Sequence, residues 1–269
     1  MVETNTFEGV TQIHLSRELN GEPLYWVAVY LVDGLLIDTG CAYTSEELAL
    51  SLEGRDIRAV VNTHFHEDHC GGNREILYRH DVPLYAHPDS IPLIAERPFL
   101  YPYQVMVWGY PEPTKAQPIP SVIETEHYRF EVMETPGHSL GHVCLVELSR
   151  GWCFSGDIFA REKMKFIRPE EDMKTTVESM RKLIDLPCER LVLFTSIGRI
   201  VEDGRTALAS CIENLEQLAL RVKELHGRGA TVEGMVEEIF GGEHAFCELT
   251  NNQYSTKNLV RSLLRMGYI

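Results

Sequence analysis

The chain has 269 residues, 44% of them apolar, and a formal net charge of -15. This length suits one large α/β unit with a substantial core. The acidic charge disfavours nucleic acid or an anionic membrane as an extended partner. No apolar run reaches the roughly 18 residues that a membrane-spanning helix needs. The first residues, "MVETNTFEGV", lack the basic and apolar segments of a secretory signal, so we expect none.

The seven cysteines are scattered along the chain and include no C-x-x-C pair. An odd number without paired spacing favours reduced thiols over a disulfide framework or a thiolate zinc site. Together with the missing signal, this pattern predicts a cytoplasmic protein.

The first 40 residues predict strands, because "LYWVAVYLV" and "LLIDTG" flank the hairpin dipeptide Asp33-Gly34. "TSEELALSLEG" then predicts a helix that begins at Thr44 or Ser45 and ends at Gly54. "IRAVVNT" predicts a buried strand, "GGNREILYRHD" a helix and "VPLYAH" another strand. The chain therefore starts with a hairpin and continues with alternating helices and strands.

Residues 97–120 are rich in proline and aromatic side chains and show no clear period. Such a segment is either a packed surface loop or a lid or wall over a site. Beyond it, "HYRFEVMET", "HVCLVEL", "WCFSGD" and "RLVLFTS" predict strands, and residues 170–186 predict a helix. The chain after residue 205 is mostly helical in pattern, and its apolar stripes predict packing. These helices could pack on the rest of the protein, wall the active site or mediate dimerisation.

The stretch "NTHFHEDHCGG" (62–72) concentrates ligand chemistry just after the predicted strand "IRAVVNT". His64 and His66 are two residues apart, so both side chains can point to one side of the chain. Imidazole and carboxylate groups suit Zn²⁺, Fe²⁺ or Mn²⁺. Because one metal cannot easily take four groups from so short a segment, Asp68 and His69 are expected to serve a second, adjacent metal.

Neighbouring residues of this stretch have other expected roles. Glu67 should point away from the metals, either as a solvated charge or as a group behind the ligands, and Cys70 should be a small buried residue. In "ETPGHSLGHV", His138 follows a tight turn and is the better candidate ligand, whereas His142 should hydrogen-bond nearby. Asp157 follows a strand and a glycine in "CFSGDIF", where a carboxylate could bridge two metals.

Three motifs in this order, "THFHEDHCGG", "TPGHS" and "FSGDIF", resemble those of the metallo-β-lactamase superfamily, and "LLIDTG" resembles its early strand motif. The resemblance covers about residues 10–200 and is specific for the fold but not for the substrate. It implies a four-layer αβ/βα sandwich over residues 1–205, with a helical extension, residues 206–269, packed on it. The ligands that it implies are His64, His66 and His138 for the first metal, Asp68 and His69 for the second, and Asp157 between the two.

One position departs from the family pattern. A histidine usually follows a late strand in a "GHG"-like turn, but "LVLFTSIGRI" places Ile197 before Gly198. The second metal could then bind weakly, or only the first position could be filled, which would leave Asp68 as a base or water-orienting group. Alternatively, another residue could supply the missing ligand; the candidates are Ser196, His244 and His14.

The resemblance implies a hydrolase of a small-molecule ester, thioester or lactone that uses one or two zinc ions, with iron or manganese also compatible. Asp68 is the candidate catalytic residue. Two other functions stay open: a mononuclear iron dioxygenase of thiols or persulfides, and a non-catalytic metal-binding protein. A cation among Lys163, Lys165 and Arg168 could bind a substrate carboxylate, although a solvated basic stretch is the simpler interpretation.

Overall fold

Two β-sheets form the centre of the computed structural model, which describes residues 1–267. The strands, numbered in chain order, are β1 (Val2–Phe7), β2 (Val10–Leu15), β3 (Glu18–Leu19), β4 (Glu22–Pro23), β5 (Val27–Val32), β6 (Leu35–Ile37), β7 (Ala59–Val61), β8 (Leu84–Ala86), β9 (Gln117–Pro118), β10 (Val122–Glu124), β11 (Arg129–Glu134), β12 (Val143–Glu147), β13 (Trp152–Gly156), β14 (Val192–Thr195) and β15 (Ile200–Val201). The first sheet has the order β1-β2-β5-β6-β7-β8-β9 and the second β10-β11-β12-β13-β14-β15, while β3 and β4 form a separate hairpin.

The helices lie in the connections and in the C-terminal quarter of the chain. They are α1 (Ser45–Ser51), α2 (Glu67–Cys70), α3 (Asn73–Arg79), α4 (Ile91–Ile94), α5 (Pro102–Val107), α6 (Met173–Ile184), α7 (Gly204–Gly227), α8 (Val232–Phe240), α9 (Phe246–Leu249) and α10 (Thr256–Arg265). None of the helices within residues 1–267 is both long and apolar enough to cross a membrane. All seven cysteines carry free thiols, as their spacing predicts.

Side chains that alternate along the strands divide the apolar core into layers. On β14, Phe194 points between the two sheets, where it stacks on Phe154 at 4.7 Å, whereas its neighbour Leu193 faces the outer helices. A second set of residues covers the outer face of the first sheet, where Leu36 and Val60 pack under α1 and α3. The order of layers is therefore helix, sheet, sheet, helix, and the predicted αβ/βα sandwich is confirmed.

The C-terminal helices share the core of the second sheet. One apolar cluster contains Leu193 of β14 and Met180 of α6. It also contains Leu208 and Leu215 of α7 and Leu259 of α10. The apolar stripe of α7 is thus packed as its spacing predicts. Because this cluster contains residues from both sides of position 205, the division between residues 1–205 and 206–269 stays a prediction.

Local chemistry accounts for two turns beside the sheets. Asp33 and Gly34 have φ angles of 48° and 82°, and two positive values are what a type I′ hairpin turn requires. The paired glycines after the histidine stretch allow their backbone to lie close to the backbone of residues 39–42. A Cβ atom on Gly71 would lie 2.4 Å from the amide nitrogen of Ala42, and one on Gly72 would lie 2.4 Å from the carbonyl oxygen of Thr39.

We expect Gly72→Ala to lower the free energy of unfolding by about 1–3 kcal/mol, because the new methyl group cannot fit without moving the backbone. Gly227→Ala is the matched control, since a Cβ atom at this helical position meets nothing within 4 Å. Chemical denaturation of the two variants measures the difference. Equal stability of the two variants would show that the 39–42 segment can move to accommodate the methyl group without lowering the free energy of unfolding.

Candidate metal centre

Three histidine nitrogens converge where the chain leaves β7. His64 and His66 follow this strand, and the loop between β11 and β12 brings in His138. His66 Nδ1 lies 2.9 Å from His64 Nε2 and 3.0 Å from His138 Nε2. All three side chains are buried. The two histidines of one turn are therefore joined by a third that is distant in sequence.

Asp157 completes this group from the end of β13. Its Oδ2 lies 3.3 Å from His138 Nε2, and the ligand atoms of the four residues all lie within 4.8 Å of one another. Burial opposes ionisation of Asp157, but the imidazoles of His69 and His138 outweigh it and hold its pKa well below the usual range. A carboxylate thus faces three imidazoles at one point.

Hydrogen bonds behind the imidazoles fix which nitrogen faces the centre. The hydroxyl of Thr63 donates to Asp38 and can then only accept from His64 Nδ1, at 3.0 Å. Glu171 Oε2 lies 3.2 Å from His138 Nδ1, and the carboxylate can only accept a hydrogen bond from this nitrogen. Both contacts place the proton of the neutral ring on Nδ1, so that the Nε2 lone pair of the neutral ring faces the other ligands.

This arrangement fits a divalent cation. Burial lowers the pKa of His64 and His66 well below the usual range, so both are neutral donors. Lone pairs about 3 Å apart repel one another unless a proton or a cation lies between them. A tetrahedral metal with nitrogen bonds of roughly 2.0–2.1 Å spaces its ligand atoms by about 3.3 Å, close to the observed separations. Three imidazoles and one carboxylate suit zinc, iron or manganese.

The second half of the histidine stretch is held by Asp38. This residue follows β6 with a positive φ of 60°, and its carboxylate accepts from the Thr63 amide and from His69 Nδ1, both at 2.7 Å. His69 Nε2 and Asp68 Oδ1 are buried without a hydrogen-bond partner among residues 1–267. Burial raises the pKa of Asp68 to about 6. Asp68 Oδ1 is therefore available to a ligand, whereas His69 Nε2 lies 3.3 Å from Asp157 Oδ1. That the two residues hold a second metal stays a prediction.

Protonation and cation binding compete at two of the imidazoles. Burial disfavours the charged form of His69, but Asp38 and Asp157 outweigh it and raise its pKa well above the usual range. At His138 the same balance, set by Asp157 and Glu171, also raises the pKa. A cation that binds at these Nε2 atoms therefore displaces a proton.

His142 has the supporting role that was expected of it. Its Nδ1 lies 2.9 Å from the Thr135 hydroxyl, and its Nε2 accepts from the amide of Asp157 at 3.1 Å. Burial lowers its pKa to about 3, which keeps the imidazole neutral. The expected burial of Cys70 is also confirmed, and its thiol donates to the carbonyl of Phe65.

A model of the metallo-beta-lactamase superfamily matches residues 27–195, which is more than half of the chain. The chain belongs to this superfamily. A structure of a superfamily protein from Thermus thermophilus, 17% identical, aligns with a TM-score of 0.68 and covers 96% of this chain and 91% of that chain. At this identity the likeness shows the fold.

Two curated relatives match shorter stretches. A hydroxyacylglutathione hydrolase from Alkalilimnicola ehrlichii is 35% identical over 112 residues, or 41% of this chain and 36% of that protein. A "probable metallo-hydrolase" from Bacillus subtilis is 30% identical over 133 residues, or 49% of this chain and 59% of that protein. The chain thus spans between about a third and three fifths of the length of these superfamily relatives.

The turn after β14 lacks the histidine that superfamily proteins usually place there. Ile197 is half-buried, and the preceding Ser196 donates a hydrogen bond from its hydroxyl to Asp157 Oδ1. His14 lies against the same turn, since a Cβ atom on Gly198 would meet its Nε2 at 2.3 Å. Among the three candidate replacements, Ser196 is the one for which the structure shows a hydrogen bond to a ligand of the four-residue group.

The third candidate, His244, lies in a different environment. Its ring stacks on Phe246 at 5.3 Å and contacts Phe166 at 4.4 Å, while its Nδ1 accepts from the Phe246 amide. These contacts join the C-terminal extension to Phe166 in the segment before α6. No group of three or more donors within residues 1–267 that could hold a metal includes His244.

Glu67 is not the solvated charge that was one of its two predicted roles. It is buried, accepts from Gln104 Nε2 at 2.6 Å, and lies 3.6 Å from Arg168 Nη2. The basic stretch divides in the same way: Lys163 and Lys165 are exposed, whereas Arg168 is buried. The solvated interpretation therefore holds for the lysines and is wrong for Arg168 and Glu67.

The proline-rich segment 97–120 forms a wall near the metal centre. Its helix α5, which the sequence pattern did not reveal, presents Gln104 to Glu67. Tyr103 and Trp108 pack in one apolar cluster with Cys41, and Tyr254 of the C-terminal extension packs against it. Both the segment and the extension thus contribute side chains close to the histidine stretch.

Proposed function

We propose that the protein is a metal-dependent hydrolase that cleaves a small-molecule ester, thioester or lactone. The observation that carries this proposal is the group of His64, His66, His138 and Asp157, whose ligand atoms lie within 4.8 Å of one another. The match to the superfamily model and the names of the relatives, hydroxyacylglutathione hydrolase and metallo-hydrolase, support hydrolysis as the reaction class. A net charge of -15 favours a small molecule over nucleic acid as substrate.

When bound, a divalent cation would polarise the substrate carbonyl and lower the pKa of water toward about 7. The chain's own residues contribute position and proton transfer. Thr63 and Glu171 hold the imidazoles of His64 and His138 so that Nε2 faces the centre. Asp68 Oδ1 is buried without a partner among the described residues, and in this proposal it accepts a proton from water and returns it to the leaving group.

Removal of metal tests the proposal directly. We expect the chelator-treated protein to lose at least about a hundredfold of its activity toward a panel of thioesters, esters and lactones, because both carbonyl polarisation and water activation are lost. Zinc, manganese or iron added back should restore the activity. Hydrolysis at an unchanged rate in the metal-free protein would overturn the mechanism, and a panel that stays flat with every metal would favour a non-catalytic metal-binding protein.

A second candidate function is iron-dependent oxidation of a thiol or persulfide by O₂. It is favoured by the single four-donor group among residues 1–267, since this chemistry uses one metal position. The two candidates separate in one assay. Oxygen uptake with a persulfide in the iron-loaded protein supports the oxidation, whereas release of a thiol from a thioester without oxygen uptake supports hydrolysis.

A further inference from the structure

The guanidinium of Arg168 is buried with few partners. The residue is 4% exposed, its Nε donates to the Tyr254 hydroxyl at 3.0 Å, and its Nη2 lies 3.6 Å from Glu67 Oε1, beyond hydrogen-bond distance. The two Nη groups carry four N–H donors, and none of them makes a hydrogen bond to another residue among positions 1–267. A buried charge is costly unless its donors are used.

Two further buried donors lie next to it. The hydroxyl of Tyr103 and Nε1 of Trp108 have no hydrogen-bond partner among the described residues, and the residues are 8% and 4% exposed. Their ring centroids are 6.0 Å apart, and the Arg168 guanidinium carbon lies 6.0 Å from the Trp108 ring and 5.2 Å from that of Tyr254. We call Arg168, Tyr103 and Trp108 the donor cluster.

Unpartnered donors of this kind rarely occur together in a native structure. Burial raises the pKa of Tyr103, with the positive charge of Arg168 opposing it, so the phenol stays protonated at neutral pH. Tyr103 and Trp108 can therefore donate and lack an acceptor, and the Arg168 guanidinium beside them has Nη groups whose nearest carboxylate, Glu67, lies at 3.6 Å. A ligand that brings acceptor oxygens would satisfy them together.

The donor cluster is joined to the metal centre through two carboxylates. Glu67 follows His66 directly in the chain and contacts the Arg168 guanidinium. The amide of Arg168 donates to Glu171 Oε1 at 2.8 Å, and the other oxygen of Glu171 faces His138. The guanidinium of Arg168 thus contacts the residue next to His66, and the backbone of Arg168 is tied to the carboxylate behind His138.

We propose that the donor cluster binds a carboxylate on the acyl substrate, and this inference rests on the proposed hydrolase function. The planar fork of a guanidinium matches a carboxylate with two parallel hydrogen bonds, and the phenol and indole supply further donors. The rings of Tyr103, Trp108 and Tyr254 form an apolar surround for the carbon chain. Glu67 at 3.6 Å from Arg168 disfavours a dianion, so a carboxylate fits better than a phosphate.

Binding to metal-free protein tests the donor cluster without any need for hydrolysis. The probes are phenylacetate, its neutral analogue phenylacetamide, and phenyl phosphate, each titrated by calorimetry at neutral pH. We expect phenylacetate to bind most tightly and Arg168→Met to weaken it by about 10- to 100-fold, as expected for loss of hydrogen bonds to a charged group. Lys165→Met, an exposed cation of the same segment, is the matched control and should change nothing.

Tyr103→Phe separates ligand binding from folding. It removes a buried hydroxyl that has no partner in the protein, so a purely structural role predicts equal or greater stability and unchanged binding. We expect thermal stability to be kept and phenylacetate affinity to fall by about 3- to 10-fold. Equal binding of phenylacetamide, tighter binding of phenyl phosphate, or wild-type affinity in Tyr103→Phe and Arg168→Met would each overturn the proposal.

Kinetics on a matched pair of thioesters then keeps this inference distinct from the hydrolase proposal. A succinyl thioester carries a free carboxylate and a butyryl thioester does not. Arg168→Met should raise KM for the first alone, by about the same factor as in the binding experiment. If neither thioester is cleaved but phenylacetate binding depends on Arg168, the hydrolase proposal fails and the carboxylate site stands. If both thioesters are cleaved and Arg168→Met changes neither rate, the hydrolase proposal stands and the carboxylate site fails.

Discussion

Replacing His66 with alanine is expected to remove tight metal binding and, with it, hydrolytic activity. Its Nδ1 is the atom shared by the two shortest contacts of the centre, 2.9 Å to His64 and 3.0 Å to His138. Without it, the remaining donors no longer surround one point. Loss of a group behind a ligand already costs about 10–100-fold in metal affinity, so we expect loss of this ligand to exceed a hundredfold. Metal content of the purified variant and calorimetric titration with zinc measure the effect.

His127→Ala is the control for this experiment. The His127 imidazole is exposed and pairs with Asp33 of the β5–β6 hairpin turn, so its loss should leave metal content and activity unchanged. Thermal unfolding of metal-free samples shows whether His66→Ala still folds. A folded His66→Ala protein that retains wild-type zinc affinity and hydrolytic activity would rule out the proposed centre.

The residues that the sequence predicted best are those whose role depends on local spacing. His64 and His66 lie two apart at the end of a strand, and strand geometry alone places them on one side. The Asp33-Gly34 turn and the apolar stripe of α7 were also predicted correctly, because a dipeptide defines the turn and a helical period defines the stripe. Whether His138 and Asp157 meet the pair is a question of topology, which the family motifs supplied and composition could not.

What the sequence could not reveal depends on partners distant in the chain. Glu67 lies between positions that converge on the metals, so it was predicted to be either a solvated charge or a group behind the ligands. Gln104 and Arg168, from two other segments, bury it and decide against the solvated charge. Glu171 carries no motif, and its contact with His138 arises from the loop before α6. Asp38 was visible only as part of a strand motif, although its carboxylate positions both Thr63 and His69. Each of these residues acts through a side chain that no local pattern predicts.

We expect one metal position to dominate in the native protein because of the turn after β14. Asp157 Oδ2 faces His138 and the four-donor group, while Oδ1 accepts the Ser196 hydroxyl and lies 3.3 Å from His69 Nε2. The oxygen nearer to His69 thus already accepts one hydrogen bond and keeps one lone pair. Asp68 and His69 then lack the extra ligand that Ile197 cannot provide. We expect the wild-type chain to bind one metal ion tightly, in line with its single four-donor group.

Ile197→His is expected to create a second tight metal position. The new imidazole would join His69 Nε2 and Asp68 Oδ1, two buried atoms without hydrogen-bond partners among the described residues. A group behind a ligand contributes up to about 100-fold in metal affinity. A direct ligand should contribute at least as much, so we expect metal affinity at this position to rise by roughly a hundredfold. Titration with zinc and elemental analysis would then show two metal ions per chain in place of one.

Ile200→His is the matched control, because it introduces the same imidazole three residues further on, where Ile200 packs between the sheets. This variant should keep the wild-type stoichiometry and lose stability. Two tightly bound ions in the unmodified protein would show that Ser196, water or another residue already completes the second position. One ion in Ile197→His would show that the hydrogen bond between Ser196 and Asp157 keeps Oδ1 from a second cation even when the missing imidazole is restored.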